Sequence, residues 1–411
     1  MLAALLAAAT AAVVTSGAHA AVPAASPAWT PAYGPWIADS AADQVEVRWI
    51  PDAASDPGEL VMGSAGTCTS AAPPIKPTVK DGIAVVRVEG LASDVVRSYC
   101  VRRSGVTAPA RLESLPSPGA RTHFVVFGDT RSDAEAHSRI SRAILAENPD
   151  AVVNTGDLVE NGTVDAQWRD FLRIEHDLLA GTPLLAVPGN HDERDLGNRT
   201  LLERYFPRAP WFEATVGAVR LLFLDSNRAL DAGSAQGKWL RERLAVAVAD
   251  RDAGRVHWIA TVEHHPAFSS AHHGSDPSVQ RELVPLFAQY HVDLALSGHD
   301  HDYERIEHGG VTWIVTGGGG APLYAFGAVP VEGSVVRSMT HHYLVVDADA
   351  KALAVRVVDV DGNVIDRFER HAGDRAAAPS RESTASTFPV VAALLSAAAI
   401  AAWFGSARLA Q

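Results

Sequence analysis

The chain is poor in cysteine and in basic charge, and it lacks two common catalytic loop motifs. Its 411 residues include two cysteines, Cys68 and Cys100. Neither has the nearby Cys or His spacing of a structural zinc site. Lys and Arg total 35 against 48 Asp and Glu, a formal net charge of −13. Nucleic acid is therefore not an expected partner, because binding it needs a basic face. No Gly-x-Ser-x-Gly elbow is present, and the glycine run in "TGGGG" is not followed by Gly-Lys-Ser/Thr. The serine elbow of the α/β-hydrolases and a Walker-type phosphate loop are both excluded. Charged residues are 20% of the chain and apolar residues 47%. That balance supplies a sizeable core and argues against global disorder.

The two ends carry the longest apolar stretches. Residues 1–20 are rich in Ala, Leu and Val and close on "GAHA", small residues placed as signal peptidase requires. The run has no preceding Lys or Arg, so a buried N-terminal helix is the alternative. Residues 388–405, "FPVVAALLSAAAIAAWFG", are nearly all apolar, and Arg408 follows. They read as a C-terminal membrane anchor or removable sorting tail, with a docked helix as the alternative. Residues 371–387 read as a flexible linker. The expected location is outside the cytoplasm, periplasmic or extracellular, with the membrane reached through the C-terminal segment. An even cysteine count in that setting suggests one disulfide.

Residues 34–117 alternate apolar and polar side chains. "DQVEVRWI" puts Val45, Val47 and Trp49 on one face, and "GIAVVRVEGL" and "VVRSYCVRR" repeat the pattern. Short strands at regular spacing indicate a small all-β sandwich. "LPSPGAR" reads as a linker. Over residues 122–370 strands alternate with helical segments, the signature of an α/β layered domain.

Several of these strands run into polar residues of one chemical kind. Asp129 follows "FVVFG", Asp157 follows "VVNTG", and Asn190 with His191 follows "AVPG". His264 follows "IATVE", and His299 and His301 follow "LALSG". Ligands of open α/β sheets gather at the carboxyl ends of strands. Imidazole suits zinc and iron, and a shared carboxylate can bridge two ions, so this set points to metals.

"GDTR", "GDLVENG", "GNHD", "VEHHP" and "GHDHDYER" together resemble the five ordered blocks of the calcineurin-like metallophosphoesterases. The last block, "TGGGGAPLY" and the preceding sandwich are similar to purple acid phosphatases, and the sandwich resembles a fibronectin type III domain. The resemblance implies a β-sandwich flanked by helices, behind the small all-β domain. It implies a phosphate-ester hydrolase, monoesterase or diesterase, using two metal ions drawn from Fe, Zn or Mn. Asp157 would bridge them, Asp129 and His301 would hold the first, and Asn190, His264 and His299 the second. His191 would stabilise or protonate the leaving oxygen, and His273 or His272 would face the substrate. A surface binding protein with a degenerate centre is the alternative outside catalysis.

Two positions depart from the family pattern. Its first block is commonly Asp-x-His, and here Arg131 takes the histidine's place. The purple enzymes place a tyrosine three residues after the bridging aspartate, and here that residue is Glu160. The first ion is therefore expected to be short of ligands, with His137 or Glu160 as possible replacements and Arg131 as a group for the substrate phosphate. Tyr303 and Arg305 are expected to brace the last loop.

Overall fold

The computed structural model describes residues 31–375, apart from 54, 94, 104 and 194–199. The expected leader (1–20) and apolar tail (388–405) lie outside the described residues, as does most of the linker expected between 371 and 387. Among the described residues no helix is long and apolar enough to cross a membrane.

Seven strands form the N-terminal β-domain: β1 (Tyr33–Ser40), β2 (Gln44–Ile50), β3 (Glu59–Ser64), β4 (Thr78–Lys80), β5 (Ile83–Glu89), β6 (Arg97–Arg102) and β7 (Ala110–Leu112). They make two antiparallel sheets, β1-β2-β5-β4 and β3-β6-β7. The period-two pattern sends Val45, Val47 and Trp49 into the core between them, with Ile37, Leu60, Tyr99 and Val101. A Cys68–Cys100 disulfide ties the segment after β3 to β6.

The larger domain contributes β8 (Thr122–Phe127), α1 (Ala134–Glu147), β9 (Ala151–Asn154), α2 (Asp165–Ile174), α3 (His176–Leu179), β10 (Leu184–Ala186), α4 (Thr200–Tyr205), β11 (Phe212–Val216) and β12 (Val219–Phe223). It continues with α5 (Ala235–Asp252), β13 (Trp258–Val262), α6 (Pro277–Tyr290), β14 (Leu294–Ser297), β15 (Tyr303–His308), β16 (Val311–Thr316), β17 (Ser334–Ser338), β18 (His342–Ala348), β19 (Ala352–Asp359) and β20 (Val364–His371). One sheet has the order β10-β9-β8-β18-β19-β20 and the other β11-β12-β13-β14-β16-β15-β17. Phe124, Val126, Val153, Leu221, Phe223, Ala260, Leu296 and Leu344 fill the space between the two sheets. Residues of α1–α4 join the core on one outer face, and α5 and α6 cover the other. The result is the expected α/β architecture, two facing sheets flanked by helices.

The strands beneath the site are apolar almost throughout because both their faces are covered. In β9 and β14 every residue is buried. Strands β8, β9 and β10 are mutually parallel, as are β12, β13, β14 and β16. Their carboxyl ends carry the site residues.

The small domain packs on the helical layer. Trp36, Ile50 and Ile83 share a core with Trp168 and Phe171 of α2. Trp36 Nε1 donates to the Tyr205 carbonyl at 3.1 Å, and the Tyr99 hydroxyl to the Ala180 carbonyl at 2.8 Å. The stretch read as a linker, 115–121, is docked instead. Leu115 enters the core between the large sheets, and Gly119 N–H meets the Gly217 carbonyl at 2.8 Å. The folded domain also runs past its expected end at 370, because Arg375 Nε reaches Asp293 Oδ1 at 2.8 Å and the guanidinium lies over Trp258.

Candidate metal centre

Three residues at the strand ends share an uncommon backbone. Asp129, Asp157 and His299 have φ of 57°, 55° and 71°. The left-handed region costs a non-glycine residue about 1–2 kcal/mol, so neighbouring contacts must hold it. Asp129 N–H donates to the Gly156 carbonyl at 2.9 Å and Thr130 N–H to the Asp157 carbonyl at 3.1 Å. The buried Asp192 carboxylate accepts N–H bonds from Leu158, Val159 and Gly189, fastening the Asp157 loop to the Asn190 loop. The glycines before Asn190 and His299 serve close approach. A Cβ on Gly189 would overlap Asp157 Oδ1, and one on Gly298 would overlap Asp129 Oδ2.

The expected ligands of the second ion converge. His264 Nδ1 donates to the Thr155 carbonyl at 2.9 Å, which leaves the lone pair on Nε2. That nitrogen lies 3.0 Å from Asn190 Oδ1, 3.2 Å from His299 Nδ1 and 3.5 Å from Asp157 Oδ1. Ligand atoms of Asp129, Asp157 and His264 all fall within 4.8 Å of one another. Burial holds the His264 imidazole well below its ordinary pKa, and burial with the neighbouring imidazoles pushes His299 down to about 2. Both rings are therefore neutral, the form that binds a metal. Burial and the facing Asp157 push the Asp129 carboxyl up. Neutral imidazole nitrogens, an amide oxygen and a carboxylate oxygen converging this closely fit a cation.

The expected first position does not fit one. Arg131 Nε donates to Asp157 Oδ2 at 3.1 Å, Nη1 to Glu160 Oε2 at 2.8 Å, and Nη2 lies 3.3 Å from His301 Nε2. His301 Nδ1 donates to the Pro322 carbonyl at 2.6 Å, so its Nε2 lone pair faces the guanidinium. His301 Nε2 is 3.6 Å from Asp129 Oδ1. Burial lowers the Arg131 pKa, but Asp157, Glu160 and Asp129 more than offset this and leave it raised.

Neither proposed replacement ligand is available. His137 is buried in α1 with Nε2 2.5 Å from Glu175 Oε1, its ring beside Phe127 and Phe171. It points into the core, as a helix face packed on a sheet requires. Glu160 is bound to Arg131 and to Ser132 Oγ at 2.6 Å. His191 does reach the centre. Its N–H donates to Asp157 Oδ1 at 2.9 Å, and its Nδ1 donates to the Glu160 carbonyl at 2.9 Å. The His273 ring lies 4.2 Å from that of His299, while His272 sits farther out against Tyr324. Tyr303 and Arg305 both bind Asp366, at 2.6 and 2.7 Å, and brace the loop.

Sequence reasoning missed three residues here. The buried Asp300 accepts from Ser269 Oγ and from His273 N–H at 2.8 Å. The buried Glu304 accepts from Ser270 N–H and Oγ, each at 2.6 Å. These two carboxylates fasten the loop that carries His272 and His273. Tyr324 stacks on His301 with centroids 4.0 Å apart at 15°. Its place in "TGGGGAPLY" was the only signal.

Residues 122–303 match the sequence model of the calcineurin-like phosphoesterases, and the chain carries a domain of that family. Its relatives include purple acid phosphatases. Purple acid phosphatase 22 of Arabidopsis thaliana is 24% identical over 278 residues, covering 64% of this chain and 62% of that protein. An uncharacterized Mycobacterium tuberculosis protein is 29% identical over 183 residues, covering 38% of this chain and 31% of that protein. The chain thus spans less than two thirds of either relative. In structure, the purple acid phosphatase of yellow lupin seeds aligns with a TM-score of 0.70 at 18% identity, over 82% of this chain and 74% of that one.

Proposed function

We propose that the protein is a metal-dependent hydrolase of phosphate esters, acting on monoesters. The observation that carries this reading is the convergence of Asn190 Oδ1, His264 Nε2 and His299 Nδ1 beside Asp157. These four residues hold the cation in this reading. When bound, the metal neutralises phosphoryl oxygens and lowers the pKa of a water. The protein's own groups do the rest. Three of the five Arg131 N–H bonds meet Asp157, Glu160 and His301, leaving two for a phosphate oxygen. With Nδ1 committed to the Glu160 carbonyl, Nε2 is the His191 nitrogen turned to the leaving oxygen, and it is the imidazolium form of the ring that gives up a proton there. His273 lines the substrate side. A dianionic monoester is the better match for a cleft holding a guanidinium beside a cation.

Hydrolysis of p-nitrophenyl phosphate and bis(p-nitrophenyl) phosphate by the metal-loaded protein tests this reading. The monoester is expected to turn over faster. A faster diester would make the protein a phosphodiesterase. Phosphate binding without turnover would make it a binding protein with a degenerate centre.

We also propose export, with a tether through residues 388–405. The small-residue close of residues 1–20 supports it, as does a disulfide of the kind oxidising compartments preserve. Membrane fractionation of cells making the full chain checks this. Recovery in the cytosolic fraction would contradict it.

A further inference from the structure

We propose that the centre works with one metal ion, held by Asp157, Asn190, His264 and His299, and that the Arg131 guanidinium permanently occupies the place of the other. The proposal rests on the phosphoesterase reading above and concerns how that site is built.

The two halves of the centre differ in kind. Around His264 Nε2 the partners are an amide oxygen at 3.0 Å and an imidazole nitrogen at 3.2 Å, with a carboxylate oxygen at 3.5 Å. A cation satisfies all of them. Around His301 Nε2 the facing group is already a cation, with Arg131 Nη2 at 3.3 Å and its Nε 3.1 Å from Asp157 Oδ2. Metals of this class bind imidazole nitrogen and carboxylate oxygen at about 2.0–2.2 Å. An ion bound to His301 Nε2 and Asp157 Oδ2 together would press against guanidinium nitrogens that already touch both atoms. Like charge makes that contact repulsive as well as crowded. A guanidinium also offers no lone pair, so it cannot become a ligand.

The second observation is what holds Arg131 in place. Glu160 Oε2 accepts from Arg131 Nη1 at 2.8 Å and from Ser132 Oγ at 2.6 Å. Arg131 and Glu160 are the two positions where the sequence departs from the family pattern, and they are paired. One is the cation that replaces an ion, and the other is the carboxylate that orients it. They form one substitution, not two independent losses. Glu160 is a positioning residue in this arrangement. Arg131 supplies fixed positive charge toward a phosphate oxygen but cannot acidify a water, which leaves that work to the single metal.

The test counts metal on the full chain. Apoprotein is saturated with Zn2+ or Mn2+, freed of excess, and assayed by plasma mass spectrometry, with titration calorimetry in parallel. One ion per chain is expected; two, or none, would overturn the proposal. Arg131→His, which adds a ligand and removes the charge, is expected to raise the count from one to two, and Arg131→Lys to keep it at one. A count of one in folded Arg131→His would also overturn the claim that arginine excludes the ion. Hydrolysis read on the same samples separates the two levels. Two ions with turnover would sink this inference alone. One ion without turnover would sink the phosphoesterase reading and leave the inference standing.

Discussion

His137 Nε2 lies 2.5 Å from Glu175 Oε1 with both side chains buried, and Ser141 Oγ donates to the other carboxylate oxygen at 2.9 Å. Removing the imidazole leaves a buried Glu175 oxygen without its hydrogen-bond partner, which costs about 1–3 kcal/mol. His137→Ala is expected to lower unfolding free energy by that order in urea titration while leaving metal content unchanged. Normal stability with lost metal would make His137 a ligand after all.

His191→Ala is expected to reduce turnover about 10²-fold with metal retained, the scale of a lost general acid. Its Nε2 is 3.9 Å from Asp157 Oδ2, so it borders the centre without belonging to the converging set around His264. Parallel loss of metal and rate would reassign it to metal binding.

The Cys68–Cys100 bond closes a loop with a sequence separation of 32 in the small domain. Cys68→Ser is expected to destabilise the protein by about 2–4 kcal/mol, the usual worth of a native disulfide. Mass spectrometry without reduction should find the two peptides linked. Two freely alkylated thiols in native protein would contradict the bond.

His342 sets one part of the acid stability. Burial pushes its pKa down to about 4, while Nδ1 meets the Thr340 carbonyl at 2.9 Å and Nε2 the Thr316 hydroxyl at 3.1 Å. An unfolded histidine titrates near 6.5, so above that pH both states are neutral and the contribution is complete. As pH falls from about 6.5 toward 4 the unfolded chain takes a proton that the folded chain refuses. Stability then drops by up to about 1.4 kcal/mol per pH unit from this group. Unfolding of His342→Gln, followed between pH 7 and 4, should show a shallower loss. An unchanged slope would show that His342 does not contribute to the acid loss.

Much of this was readable in the residues. The alternation of Val45, Val47 and Trp49 and the apolar runs before Asp129, Asp157, His264 and His299 depend on local periodicity, which the chain carries in plain view. What was hidden depends on contacts between distant segments. Nothing near Ser269 or Ser270 announces that Asp300 and Glu304 will clamp them, and nothing near Tyr324 says it will stack on His301. The departure at Arg131 was visible, but its direction was not. A side chain four residues past a strand can point toward the metals or away, and only the folded position of Glu160 decides. His137 shows the converse. Its residue type suggested a ligand, while its helical phase placed it in the core.

In the proposed reaction, a metal held at Asp157, Asn190, His264 and His299 is required for ester hydrolysis. The most direct measurement is p-nitrophenyl phosphate turnover by the full chain before chelation, after it and after metal is restored, beside His299→Ala with its fold checked by circular dichroism. Turnover is expected to disappear with the metal and return with it, and a folded His299→Ala protein to stay inactive throughout. Full turnover by the chelated protein, or by His299→Ala, would contradict that requirement.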